Sequence, residues 1–477
     1  MKIPRTIILL ISTMLLGLAL RVYRMDDLAV FLADQASDST VVLNMIRGDF
    51  TLLGPITSVG GFYNGPIVYY LMFPVYFILQ GHPLSGTIFQ TLVSIATMPF
   101  LYLIGRKIKN DETGLLAAFF FAISPLMIEY SRAAFNAYPA VFFSTIILYL
   151  LLKIQESYSW KMTFLMGICI GFVIQMHYFT IALLILTLIY PFFKKTLLKP
   201  MYYLFLLGGV IAGYSPFLLF EMTHSFLNTK LLLEYLTSSK ESSRSIMNMI
   251  LVWPDITGKL IFGQSLIWGA LGFAVILYSS IQTYLKNALK KMIVFPFLLL
   301  FIIVSLIGFL YGGFMQTHYV IAFHTSLIIL FAMVMSQDVK RNPLVLSAIC
   351  FLYFIININA MNLHQKKHPL QDGLSIKDFI YAASLIQSDK KGSYNVGMHA
   401  QGDNRAMPLR YMLKLLNETP EPYENYGDIE SLYFLVKKNE PITSLKMWEY
   451  SSFGKSHVVK KWDVNDEYFL YKLEKKI

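Results

Sequence analysis

The chain has 477 residues, of which 56% are hydrophobic, 15% aromatic and only 14% charged. A soluble domain carries about 25% charged residues, so this composition excludes a soluble globular protein and implies one that crosses a membrane many times. The formal charge of +11 gives no case for nucleic acid as a partner, because in a membrane protein surplus Lys and Arg belong to cytoplasmic loops.

The first apolar run, Ile7 to Leu20, follows Lys2 and Arg5, and no small-residue cleavage site comes after it. It reads as an uncleaved first span. Further apolar runs lie at 65–80, 84–105, 114–130, 136–152, 162–193, 201–221, 262–285, 293–313, 318–336 and 343–361. As one helix, 162–193 would measure about 48 Å against a hydrocarbon core of ~30 Å. Gln175 and His177 at its middle divide it into two short helices. Cys169 and Cys350 both sit within apolar runs and suggest neither a disulfide nor a metal site.

The basic loops select the topology. Arg106–Lys109, Lys153–Lys161, Lys194–Lys199, Lys286–Lys291 and Lys340–Arg341 all fall on the cytoplasmic side with the N-terminus only if 65–80 does not span. That segment is short and carries Pro66 and Pro74, so it reads as re-entrant or surface-lying. The expected fold is an α-helical multi-pass membrane protein of about eleven spans plus a re-entrant segment, with its C-terminus outside. Residues 1–361 form the membrane unit, with outer loops at 24–83 and 222–261. Residues 362–477 are polar with turn residues between short apolar stretches. They read as a small extracytoplasmic α/β domain, with helices near 375–388 and 406–416 and strands near 394–399, 431–437, 456–461 and 467–473.

Acids cluster in the first outer loop: Asp26, Asp27, Asp34, Asp38 and Asp49. Helical spacing puts Asp34 and Asp38 on one face. Two like charges so close raise the pKa of one of them, which suits a general base or a divalent-ion site, Mg²⁺ or Mn²⁺, without requiring a metal. Two solvated surface acids would show the same spacing. Arg132 stands at an outer turn beside Glu129; it suits a phosphate clamp and equally a structural pair with Glu129. His177 lies at the polar break, and His318 and Tyr319 meet the membrane at the start of a span. Structural packing and interfacial anchoring explain these as well. Arg244, with Lys230, Lys240 and Lys259, could face an anionic headgroup from the second outer loop. There is no P-loop, GxGxxG or HExxH motif.

The order of "LRVYRMDDLAVFLADQASDSTVVLNMIRGDF", "GFYNGPIVYYLMFPVYFI", "LYLIGRKI" and "GLLAAFFFAISPLMIEYSR" resembles the GT-C membrane glycosyltransferases of the protein-mannosyltransferase and aminoarabinose-transferase type (glycosyltransferase family 39-like). The resemblance is good over about 5–195 and weaker to about 360, through "GYSPFLLFEMTHSFLNTKLLLEYL" and "HYVIAFHTSLIILFA". It implies transfer of a sugar from a polyprenyl-phosphate donor to a glycan, lipid or protein hydroxyl on the outer face of the cytoplasmic membrane. A first-loop acid would act as general base. Asp34 matches that acid; Gln35 stands where many members have Glu, and Asp38 is the next acid. Asn136 stands where some members have a second acid. Asn64 occupies the place of a lysine that some members carry before the Pro of the re-entrant segment, so Arg132 and His318 are the candidates for the lipid phosphate. A single displacement inverts the anomeric carbon. The alternative is a lipid-linked oligosaccharide flippase or other transporter, which calls for mid-span charges or inverted repeats that this sequence does not display.

Overall fold

Backbone groups inside a bilayer must pair within their own segment, and the apolar runs accordingly form helices. The computed structural model describes residues 4–238, 246–286, 288–311, 314–338 and 343–476. In chain order the first helices are α1 (Arg5–Val22), α2 (Met25–Leu28), α3 (Ala33–Ile46), α4 (Ile67–Ile78), α5 (Ser85–Ile108), α6 (Asp111–Ala122), α7 (Pro125–Ser131) and α8 (Ala140–Ile154). Then come α9 (Trp160–Met176), α10 (Ile181–Phe193), α11 (Pro200–Thr223), α12 (Leu227–Ser238), α13 (Ile246–Ile261), α14 (Leu266–Lys286), α15 (Ala288–Tyr311), α16 (His324–Asp338) and α17 (Pro343–Ile358). The C-terminal unit holds α18 (Ile376–Asp389), α19 (Met407–Leu415), α20 (Trp448–Phe453) and strands β1 (Tyr394–Met398), β2 (Ser431–Lys437), β3 (Ser456–Asp463) and β4 (Tyr468–Lys475).

Among the described residues six helices are long and apolar enough to cross a membrane, or seven if α6 and α7, bent by 59°, count as one span. The shorter apolar helices include α4, α8, α9 and α10. The 12 residues of α4 reach only about 18 Å at ~1.5 Å per residue, short of the ~30 Å core. The run 162–193 is divided where the polar pair predicts: α9 ends at Met176, His177 is extended and a 3-10 turn, Tyr178–Thr180, precedes α10. The segment 222–261, expected as a loop, is helical instead over α12 and α13. In α13 the apolar face, Val252, Trp253, Ile256, Leu260 and Ile261, is buried in the core of the bundle.

Two features hold the bundle end that carries the candidate site. Arg21 is fully buried on α1 and donates to Ser94 Oγ (2.9 Å), Gly17 O (3.0 Å), Ala122 O (2.8 Å) and Phe121 O (3.3 Å). The last two are carbonyls freed by the bend between α6 and α7, so the cation caps a broken helix. Second, α9 and α11 pack through paired G-x-x-x-G motifs. A Cβ on Gly167 or Gly209 would lie 2.2 Å from Leu206 O or 2.1 Å from Phe164 O, and Gly171 and Gly213 are similarly crowded. Small residues at this spacing let helix backbones approach, and the seam fixes α9 and the break that follows it.

The basic loops at 106–109 and 153–161 meet at the far end of α5, where Lys107 pairs with Glu156 and Lys109 donates to Ser336 O of α16. In the C-terminal unit the sheet order is β1-β2-β4-β3, with β1 parallel to β2 and the other pairs antiparallel. One face shares a hydrophobic core with α18, α19, α3 and α4; the other carries a smaller cluster around Tyr426 and Phe434. The two expected helices and four expected strands lie within a residue or two of α18, α19 and β1–β4, and α20 was not expected.

Replacing Gly209 by Leu must push α11 off α9. The expected cost is about 3 kcal/mol, read as a clear drop in the thermal unfolding midpoint of the detergent-solubilised protein. Gly208→Leu, whose Cβ would meet only Phe164 Cε2 at 3.8 Å, is the tolerated neighbour.

Candidate active site

Leu32 enters α3 in an extended conformation, and the Gln35 side chain accepts its backbone N–H at 3.1 Å. Gln35 therefore closes the first turn of the helix that carries the acids. Asp34 is exposed in that turn; Asp38, one turn on along the same face, is buried at 7% exposure. Tyr69 of α4 donates to Asp38 Oδ1 at 2.6 Å. The next residue, Ser39, donates to Gln35 O (2.6 Å) and meets the Tyr76 hydroxyl at 2.7 Å. Tyr69 and Tyr76 are seven residues apart, hence on one face of α4, and these two contacts dock the short helix on the acid helix. Burial pushes the Asp38 carboxyl up to about 7; the Tyr69 hydrogen bond opposes that shift, and the nearby charge of Asp34 adds to it.

Immediately before α4, the Gly65 N–H donates to Gln175 O (3.0 Å), and a Cβ on Gly65 would lie 2.3 Å from Gln175 Cγ. Asn64 is buried and bridges to Pro55 through both its backbone (2.9 Å) and its side chain (3.3 Å). Asn136 donates to Met176 O at 2.8 Å. The end of α9 is thus tied to the re-entrant segment on one side and to the turn after α7 on the other. Past it stands a ring cluster. His177 meets His318 (5.2 Å between centroids) and Tyr319 (5.3 Å); Phe135 packs on His318 (5.5 Å) and Phe179 on Tyr319 (4.8 Å). His177 Nδ1 is buried with no hydrogen-bond partner. A third strap comes from α12. Asn228 donates to Tyr63 O (3.1 Å) and to the Tyr178 hydroxyl (3.0 Å), and the buried Glu221 carboxylate accepts the N–H groups of Asn228 (3.1 Å) and Thr229 (3.0 Å) at the helix start.

The candidates from the sequence therefore separate. Asp34 and Asp38 share a face beside α4, and His177, His318 and Tyr319 come together at the break. Arg132 is buried and donates through Nη2 to Leu20 O (2.8 Å) and Tyr23 O (3.4 Å), capping α1; no ion pair joins it to Glu129 among the described residues. Glu129 is half-buried at the end of α7, within the influence of Lys259. Arg244 and Lys240 lie outside the described residues. Among the described residues no group of three or more His, Cys, Asp or Glu side chains converges; Asp34 and Asp38 remain a two-carboxylate set. Tyr69, Tyr76, Tyr178 and Asn228 escaped the sequence reading. Only the seven-residue spacing of Tyr69 and Tyr76 signals them in advance.

Residues 64–220 match the sequence profile of the dolichyl-phosphate-mannose-protein mannosyltransferase family. No curated protein sequence matches the chain. Among solved structures, ArnT from Cupriavidus metallidurans bound to undecaprenyl phosphate superposes with a TM-score of 0.62 at 9% identity, covering 98% of this chain and 97% of that one. The oligosaccharyltransferase AglB from Archaeoglobus fulgidus, in complex with an inhibitory peptide and a dolichol-phosphate, gives 0.55 at 12% identity, covering 90% and 69%. At such identities the likeness is one of fold. The chain therefore shares the GT-C-like membrane fold of these structures, and the matched segment holds α4 and the break after α9.

The Asp38 environment sets opposite responses to two substitutions. Tyr69 favours the carboxylate, so Tyr69→Phe raises the ionisation midpoint above 7; Asp34 disfavours it, so Asp34→Asn lowers the midpoint. Carbodiimide labelling of Asp38, which needs the protonated carboxyl, falls as pH rises through the midpoint. Peptide mass spectrometry across a pH series reads both shifts.

Proposed function

We propose that this protein is a glycosyltransferase. It moves a sugar from a polyprenyl-phosphate donor to an acceptor hydroxyl, at the outer face of the cytoplasmic membrane and with inversion. The observation that carries the reading is the Asp34/Asp38 face set against α4 in a chain with the GT-C fold. Its likeness to a protein solved with undecaprenyl phosphate and to one solved with a dolichol-phosphate supports a lipid-linked donor, and a glycan, lipid or protein is the acceptor.

In this mechanism Asp34, the exposed member, takes the proton of the acceptor hydroxyl as its oxygen attacks the anomeric carbon. The bond from that carbon to the phosphate oxygen breaks, and the polyprenyl phosphate leaves with the electron pair. Asp38 stands behind Asp34, one turn on along the same face of α3. A general base of this kind contributes about 10²–10⁴ in rate. Asp34 and Asp38 would be the residues to hold Mg²⁺ or Mn²⁺, which would help to neutralise a substrate phosphate; the proton transfer itself is assigned to the carboxylates. The lipid phosphate is assigned to His177, His318 and Tyr319, because Arg132 is committed to α1. With the basic loops in the cytoplasm, the acids and the C-terminal unit face outward.

Mass spectrometry of lipids and glycans from cells with and without the protein identifies donor and product. Asp34→Asn then loses transfer by a factor of about 10²–10⁴ at unchanged expression, and Asp38→Asn abolishes the activity limb near pH 7. Full activity in both variants removes the assignment. Net movement of an unmodified lipid-linked glycan across vesicles, with no change in product, would establish the transporter instead.

A further inference from the structure

We infer that α19 of the C-terminal unit belongs to the site, with Tyr411 and Lys414 as positioning residues that hold the ends of α3 and α4 and thereby the Asp38–Tyr69 contact. This rests on the reading of the acid pair given above. Asp38 and Tyr69 sit on two short helices, neither a full span, and their geometry depends on what holds the helix ends. At the end of α4 the chain reverses through Gln80 (φ 51°) and Gly81 (φ 75°). The buried Tyr411 hydroxyl donates to Gly81 O at 2.6 Å. A Cβ on Gly81 would lie 2.8 Å from Leu43 Cδ1 of α3 and 3.1 Å from Leu415 Cδ2 of α19, so three helices converge on this one carbonyl.

At the end of α3, Lys414 Nζ donates to Asn44 Oδ1 at 2.5 Å, where a helix C-terminus favours a cation. The Tyr411 ring also packs 5.5 Å from Phe31, just ahead of the first turn of α3. The same unit grips the entry to α3. Gln371 donates to Ala29 O (2.9 Å), and the His368 N–H donates to Asp27 O (3.2 Å). The acid helix is thus pinned at both ends by residues far away in sequence, and one hydrophobic core runs through α3, α4 and α19 without a break.

Ordinary domain docking would touch the bundle at a convenient surface. Here α19 instead contacts the two helices whose side chains form the pair. A 2.6 Å bond does not survive a displacement of an ångström, and misplacement of that size in a reacting group can cost about 10²-fold. The titratable groups that face Asp38 are Asp34 on its own helix and Tyr69 and Tyr76 on α4; α19 brings Tyr411 against Tyr76.

The test uses the full chain in lipid nanodiscs and two readouts. Carbodiimide labelling of Asp38 against pH requires no substrate. In Tyr411→Phe combined with Lys414→Met the midpoint moves upward, as in Tyr69→Phe, and in a Tyr69→Phe background the same pair adds no further shift. Lys414→Arg restores the midpoint of the wild type. If Tyr411→Phe fails to accumulate, Lys414→Met alone gives a smaller shift of the same sign. In transfer assays kcat falls about tenfold while KM for the lipid donor stays constant. An unmoved midpoint, or one whose shift adds to that of Tyr69→Phe, overturns the inference. Retained transfer in Asp34→Asn and Asp38→Asn removes the catalytic assignment of the acids and leaves the labelling result standing.

Discussion

Every backbone polar group released by a helix break within a membrane must find a partner inside the protein, and this requirement shapes one whole end of the molecule. The bend between α6 and α7 frees the carbonyls of Phe121 and Ala122, and Arg21 takes both. The break after α9 leaves the carbonyls of Gln175 and Met176, which receive the N–H of Gly65 and the amide of Asn136. The start of α12 leaves N–H groups that the Glu221 carboxylate accepts. Each repair draws in a residue from a different loop. The first loop, the turn after α7, the break and α12 are consequently laced together, and a polar site at a membrane surface needs a frame of that kind.

Within it, α4 is the dividing wall. Its first turn reaches the acid helix through Tyr69, and the residues just before it reach the end of α9 through Gly65. The carboxylates lie on one side and the histidine and tyrosine rings on the other.

Much of this was legible in the sequence. Hydrophobic length marked the helices, and Gln175 with His177 marked the division of the long run, because the run exceeds one membrane crossing and a polar pair at its middle suits a turn at the membrane surface. Alternation and turn residues located the four strands of the C-terminal unit to within a residue or two. Paired acids at helical spacing drew attention to α3. Less was visible where the decisive partner comes from a distant segment. Arg132 reads as a phosphate ligand in isolation and proves to cap α1, since nothing local reveals that two carbonyls at the end of the first helix require a donor. Tyr69 looks like one more aromatic residue in an apolar run until α4 is laid beside Asp38. The helices α12 and α13 were missed because scattered charges between apolar residues make a helix read as a loop. The paired glycine motifs of α9 and α11 were present in the sequence, but they acquire meaning only once the two helices are known to be neighbours.

The link between Tyr411 and Gly81 joins residues 330 apart in the chain, and that between Arg24 and the carbonyl of Gln365 joins residues 341 apart. A ribosome adds roughly 5–20 residues per second, so the early helices are made and inserted well before α19 exists. During that interval the acid helix has its contacts with α4 and lacks those with α19. Its second set of contacts therefore forms only when a later-made segment docks onto helices already in place.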